Sequence, residues 1–336
     1  MTTPFTVLWL QAGSCGGCTM SALSADDVGL VPALERFGIQ LLWHPSLSQQ
    51  TGHEVVELLT AIADGQQSVD ALCIEGAVLT GPHGTGRFQI LSGTGKPMSE
   101  WIQTLAKRVK YVVAVGSCAA YGGFPAAGIN RTDAVGVQTL EQGHSGLLPA
   151  DFRSRAGLPV INIPGCAPHP GWIIETLADL SLGEMQLSSL DSLARPRAFA
   201  DHLAHHGCGR NEFYEFKASA ARPSDRGCLM ENLGCKATQA PGDCNIRRWN
   251  GHGSCTDAGY TCISCTTPGF QDPGSSFLET PKRAGIPVGL PLDMPKAWFV
   301  ALAALSKSAT PSRVRTNAHA DHIVVPPVRH PAKGKQ

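Results

Sequence analysis

Twelve cysteines are the residues of this 336-residue sequence best able to do chemistry, and their spacing sorts them. Cys15-Gly-Gly-Cys18 lies near the N-terminus, Cys118 follows Gly116-Ser, and Cys166 follows Pro164-Gly165. Further along come His205-His-Gly-Cys208, then Cys228, Cys235, Cys244, Cys255 and Cys262-Ile-Ser-Cys265. Four thiolates converging on one point make a site for zinc or for an iron–sulfur cubane. A lone cysteine is more often a small buried hydrophobe, and Cys73, mid-run in Asp70-Ala-Leu-Cys73-Ile-Glu75, fits that description. Setting Cys73 aside leaves eleven cysteines, and one histidine brings the ligands to twelve, enough for three four-coordinate centres. Spacing alone does not separate zinc from iron–sulfur. Zinc, however, does no redox chemistry, and three closed zinc sites would have no evident purpose beside a flavodoxin-like domain.

The elements that must position these thiols alternate in the first half of the chain. Short apolar runs at Thr6–Leu10, Ile39–Trp43, Val69–Ile74, Tyr111–Val115 and Val160–Ile163 predict five strands. Helical patterns fill the gaps over Val31–Phe37, Glu54–Ala63, Ser99–Val109 and from Pro170 through Leu180. Strands alternating with single helices predict an α/β fold with a flavodoxin-like parallel sheet covered on both faces. In such a sheet ligands bind beyond the carboxyl ends of the strands. Cys15, Cys18, Cys118 and Cys166 all follow predicted strands on that edge.

The texture changes after about Leu190. Residues 207–275 carry seven of the cysteines, many glycines and little apolar periodicity, so bound metal must supply what a hydrophobic core does not. A last helix is expected with Asp293 as N-cap and Pro295 in its first turn, ending near Leu305. This divides the chain into a flavodoxin-like domain over 1–188, an irregular cluster-stabilised domain over 189–305 and a flexible basic tail over 306–336.

Bulk composition excludes several classes. Formal net charge is zero, which gives no footprint for a nucleic-acid partner. Glycine is abundant, at 37 residues, and backbone without side chains can approach a bulky inorganic group closely. The N-terminus has no basic region, long apolar run or twin arginine, and no stretch reaches the ~20 apolar residues of a membrane span. A cytoplasmic chain is therefore expected, and thiols in a reducing compartment point to metal rather than disulfides.

Several stretches, taken in order, resemble NiFe hydrogenase small subunits over about residues 5–305. They are Cys15-Gly-Gly-Cys18-Thr, Glu75-Gly76, Gly116-Ser-Cys118-Ala-Ala-Tyr-Gly-Gly123, Asn162-Ile-Pro-Gly-Cys166-Ala-Pro-His-Pro170, His205-x-x-Cys208-x-Arg210, Gly227-Cys228 through Cys235-Lys236, and Cys262-Ile-x-Cys265. The resemblance implies a large partner subunit that carries the Ni-Fe centre, and a small subunit that passes electrons outward through three clusters. It assigns Cys15, Cys18, Cys118 and Cys166 to a proximal cluster. His205, Cys208, Cys228 and Cys235 fall to a distal cluster, and Cys244, Cys262 and Cys265 with a fourth position to a medial one. Many relatives have proline at that fourth position; here it is Cys255, which implies three four-iron (4Fe-4S) clusters. Oxygen-tolerant membrane-bound relatives have two extra cysteines around the proximal cluster, where this chain has Gly17 and Gly123, so an ordinary cubane is implied. A glutamate two residues past the first motif in many relatives is Met20 here.

Glu75, closing an apolar strand, either transfers protons or caps neighbouring amides. Two functional readings remain: a hydrogen sensor relaying its redox state to a histidine kinase, or an uptake enzyme feeding a redox carrier. The sensor is favoured by Cys255, the two glycines and the tail, where six cationic side chains (Lys307, Arg313, Arg315, Arg329, Lys333, Lys335) less Asp321 leave +5, beside the apolar patch Ile323-Val-Val325. A disordered, solvated end is the alternative for that tail. A respiratory-complex cluster subunit would share the N-terminal domain but not the seven later cysteines.

Overall fold

The computed structural model describes residues 3–25, 29–141, 143–251, 253–272 and 278–321. In chain order the N-terminal half forms β1 (Phe5–Gln11), α1 (Gly17–Leu23), α2 (Leu30–Arg36), β2 (Ile39–Trp43), α3 (His53–Ala63), β3 (Ala71–Glu75), β4 (Val78–Leu79), α4 (Met98–Ala106), β5 (Tyr111–Val115), α5 (Ser117–Tyr121), β6 (Ala134–Gln138), β7 (Gly146–Leu148), β8 (Ile161–Ile163) and α6 (Pro170–Leu182). The main sheet runs β2-β1-β3-β5-β8, with every pairing parallel. β4, β6 and β7 form a small side sheet.

The five strands read as unbroken apolar runs because both of their faces are covered. Leu8, Leu10, Leu72, Ile74, Val112 and Ala114 pack against Leu59 and Ile62 of α3 and Ile102 and Leu105 of α4. The alternate residues Val7, Trp9, Cys73, Val113 and Val115 pack against Leu34 of α2 and Trp172, Ile173 and Leu177 of α6. Each Leu, Ile or Val among them contributes about 1.5–3 kcal/mol by leaving water, so the sheet is a rigid platform for the loops at its carboxyl edge.

The C-terminal half has one long helix, α9 (Lys296–Ser308), and otherwise only short ones among the described residues: α7 (Arg197–Ala200), α8 (Asn211–Glu215) and α10 (Ser312–Ala318). Its own apolar cluster is small, built on Tyr214, Leu229, Met230, Leu233 and Phe299. It docks on α6, where Trp172 stacks on Phe199 at 4.4 Å between ring centres and donates to Asp243 at 2.6 Å. Arg247 clamps the same seam, reaching Glu175 at 2.5 Å and Asp243 at 3.1 Å.

Two expectations need correction. Asp293 is not the N-cap of the last long helix: Pro295 holds that position and the helix continues to Ser308. Its carboxylate is instead committed to two histidines, described below. Nor is the segment after Leu305 a free tail throughout. α10 buries Val314 completely, Arg313 pairs with Glu212, and Arg226 and Gly227 donate backbone hydrogen bonds to Ala320 and Ala318. The patch Ile323–Val325 lies outside the described residues.

Candidate metal centres at the sheet edge and beyond

Each cysteine of the N-terminal half that follows a strand sits where that strand hands over to a helix. β1 leads to Cys15 and, in the first turn of α1, Cys18; β5 leads through Gly116 to α5, which contains Cys118; β8 leads to Cys166 just before α6. The two short helices have too few turns to show a period, which is why the sequence pattern missed them. Glycine is required around these thiols. A side chain at Gly116 would collide with Cys18 Sγ, and one at Gly123 would sit 2.6 Å from Cys118 Sγ, both at positive φ. Gly76, also at positive φ, lets the first loop pack 2.7 Å from where its Cβ would be. The four thiols act on one another. Burial pushes the Cys18 thiol far up, with Glu75, Cys118, Cys15 and Cys166 adding to the rise, and burial with Cys166 moves Cys118 up to about 11.

Glu75 ends β3 between the strands that carry the thiols and is fully buried. Its Oε1 accepts from Ser14 Oγ (2.9 Å) and the Thr19 amide (3.3 Å); its Oε2 accepts from Trp9 Nε1 (3.1 Å), Gln11 Nε2 (3.3 Å) and Thr19 Oγ1 (2.5 Å). Burial alone would raise its carboxyl, but hydrogen bonds from Thr19, Ser14 and Gln11 outweigh it and hold the group below the usual carboxylate range. So saturated a carboxylate fastens the Cys15–Thr19 loop to the sheet, which favours the capping role over proton transfer.

In the C-terminal half, His205, Cys208, Cys228 and Cys235 line one cavity. Arg210 ties its walls together. Buried, it donates through Nη1 to the carbonyls of Asp225 and Gly227 (both 2.7 Å) and through Nε to that of Thr256 (3.1 Å), joining the loops that carry Cys208, Cys228 and Cys255. His205 Nε2 lies 2.8 Å from Asp293 Oδ2, and His206 Nε2 shares the same oxygen at 3.2 Å. Burial works against the charge of Asp293, but the bonds from His205 and His206 hold its carboxyl below the ordinary range. This partner, 88 residues away, was not legible in the sequence.

Cys244, Cys255, Cys262 and Cys265 form the third group. Burial, with Cys265 and Cys255 adding, pushes the Cys244 thiol up to about 12, and Cys265 rises equally, its neighbours including Cys255 and Cys166. This group lies between the other two. The Cys166 amide donates to the Cys265 sulfur and Ser117 Oγ donates to the Cys265 carbonyl, while the Cys262 amide donates to Cys235 Sγ at 3.4 Å. The sequence-predicted ligands are thus brought together as three sets of four, in the order sheet edge, middle, far end. Cys73 stays apart, fully buried mid-strand.

The residues suit clusters. All twelve cysteines are free thiols, and a metal that binds such thiols displaces their protons. Asp293 can only accept, so His205 carries its proton on Nε2, and Nδ1 is left as a buried lone pair with no hydrogen-bond partner. An unpartnered acceptor in a cavity that three thiols also line fits the donor set of a metal centre.

Comparison with known proteins accords with this geometry. Residues 15–180 match the family model described as NADH ubiquinone oxidoreductase, 20 Kd subunit, and residues 201–278 match the one describing the C-terminal part of the NiFe/NiFeSe hydrogenase small subunit. The F420 non-reducing hydrogenase I small subunit of Methanosarcina mazei is 35% identical over 85% of this chain and 78% of its own length. The periplasmic NiFeSe hydrogenase small subunit of Desulfomicrobium baculatum is 32% identical over 81% and 86%. Among solved structures, an actinobacterial-type NiFe-hydrogenase from Ralstonia eutropha superposes with TM-score 0.74 at 27% identity over 92% of both chains. The recombinant NiFeSe hydrogenase of Desulfovibrio vulgaris Hildenborough reaches 0.68 at 29%, over 82% and 98%. No described helix is long and apolar enough to cross a membrane. The chain belongs to the NiFe hydrogenase small-subunit family, the iron–sulfur, electron-transfer partners of a large subunit that holds the Ni-Fe site.

Proposed function

We propose that this small subunit holds three 4Fe-4S clusters and serves a cytoplasmic hydrogen sensor. Cys15, Cys18, Cys118 and Cys166 would bind the proximal cluster, Cys244, Cys255, Cys262 and Cys265 the medial, and His205, Cys208, Cys228 and Cys235 the distal. Such clusters supply one-electron transfer between the Ni-Fe site of the partner and the far end of the chain. The observation that carries the reading is the grouping of twelve candidate ligands in three adjoining sets, with Cys255 beside Cys244 and Cys265. The residues' own task is to fix positions: Glu75 anchors the Cys15–Thr19 loop, Arg210 gathers three loops, and the amides of Cys166 and Cys262 bridge one set to the next. Met20 and Leu23 of α1 and Phe124 just after α5, exposed apolar side chains near the proximal thiols, suit a surface covered by the large subunit.

The sensor role adds a signalling partner, a histidine kinase, reached through the C-terminal segment. Trp298, Leu302 and Leu305 of α9 are exposed, and the sequence after α10 adds basic residues and the apolar run Ile323-Val-Val325. The test is a paired one on the intact complex. About twelve irons and twelve sulfides per small subunit are expected, with nickel only when the large subunit is purified alongside; stoichiometric zinc instead would overturn the clusters. Truncation after Asp321 should keep dye-linked hydrogen oxidation and lose kinase co-purification. The cut belongs there rather than at the head of the 306–336 segment, because Ala318 and Ala320 accept hydrogen bonds from Gly227 and Arg226 in the loop that carries Cys228. Undiminished kinase binding would favour the uptake enzyme that delivers electrons to a redox carrier.

A further inference from the structure

We infer that Asp293 is a positioning residue for the distal cluster, setting both the tautomer and the donor strength of His205 and thereby lowering that cluster's potential. The inference rests on the reading of His205 as the distal ligand. Its warrant is geometric: a carboxylate oxygen 2.8 Å from Nε2, and on the other side of the same ring a buried Nδ1 with no partner. A metal-bound imidazole characteristically donates its other N–H to a carboxylate, which fixes the ring and makes it a stronger donor. Here the arrangement is tight. His205 is buried, its ring is walled by Tyr214 at 5.3 Å and His206 at 4.8 Å between centres, and Asp293 is anchored at the base of α9.

The electrostatic consequence has a definite sign. A carboxylate that strengthens the imidazole donor, and adds negative charge beside the iron, favours the oxidised cluster. Reduction is therefore harder, and the midpoint potential is lower than it would be with a neutral acceptor. His206 shares the same oxygen at the surface and draws off part of that charge. The trio His205, His206 and Asp293, whose ligand atoms lie within 4.8 Å of one another, admits a rival: a divalent cation bound between them.

The experiment is an EPR-monitored redox titration of the intact two-subunit complex, the distal signal being identified by its change in His205→Cys. Asp293→Asn keeps an acceptor for Nε2–H but removes the charge; it should leave iron content unchanged and shift the distal midpoint positive. Asp293→Ala removes the acceptor too and should lower distal iron occupancy. His206→Gln should move the midpoint less than Asp293→Asn. An unshifted midpoint in Asp293→Asn, with the distal cluster present, overturns the role of Asp293 alone. Zinc bound to the wild type and lost in both Asp293→Asn and His206→Gln overturns it in favour of the cation site. A wild type with no distal signal overturns the cluster reading and this inference with it.

Discussion

Replacing Glu75 by glutamine separates its two conceivable roles. Glutamine has the shape of glutamate, but one of its two terminal atoms is a donor. Oε1 faces the Thr19 amide and Oε2 faces Trp9 Nε1, both of which can only donate. Whichever way the new amide turns, one fixed N–H meets an NH₂ group. Ser14, Gln11 and the Thr19 hydroxyl can rotate or flip to adapt; Trp9 and the Thr19 backbone cannot. The variant thus loses a charge-assisted hydrogen bond, worth about 1.5–3 kcal/mol, and leaves a buried donor unsatisfied at about 1–3 kcal/mol more. A net loss of about 2.5–6 kcal/mol should lower the melting temperature of a domain of this size by roughly 5–24 °C. Because the Thr19 amide belongs to the loop that carries Cys15 and Cys18, the visible cluster absorbance should bleach at that lower temperature. The assay is anaerobic thermal unfolding of the complex, followed by iron analysis and hydrogen oxidation on the unheated sample. If Glu75→Gln melts with the wild type and keeps its iron yet no longer oxidises hydrogen, the anchoring argument fails and Glu75 is a proton carrier.

Two further substitutions probe the cluster surroundings. Cys255→Pro removes one medial thiolate, so the oxidised complex should acquire a three-iron EPR signal that the wild type lacks; a wild type already showing that signal in stoichiometric amount means Cys255 is no ligand. Gly123→Ala forces a side chain onto a backbone at φ 53°, ψ −150°, a region essentially reserved for glycine, at about 1–3 kcal/mol, and places its Cβ against Cys118 Sγ and Cα; iron loss confined to the proximal cluster is expected, and full iron content would show that the loop yields.

What was legible in the sequence follows from the kind of signal each feature leaves. The five strands and the cysteines at their carboxyl ends could be read because strands buried on both faces are continuous apolar runs, and loops holding a bulky group need glycine. Features held by distant partners left no local trace. The side sheet β4-β6-β7 has strands of only two to five residues, and nothing near Glu75 reveals that Trp9, Gln11, Ser14 and Thr19 will converge on it. Asp293 shows the limit most clearly. An aspartate two residues before proline at the head of an apolar helix has the local features of an N-cap, and the sequence offered no competing use. Only folding brings His205 and His206 to it, at 2.8 and 3.2 Å from one carboxylate oxygen. The helix is left to start on Pro295, whose missing N–H costs nothing at that position. The tail misled for a related reason. Its composition is polar and basic, yet one apolar residue, Val314, sits in a short helix that closes over Gly227, next to Cys228. In a domain with so small a core, such single contacts around each cluster loop carry weight that a hydrophobic pattern cannot display. The proposed kinase-binding surface is therefore sought beyond Asp321, since residues 306–321 support the loop that carries Cys228.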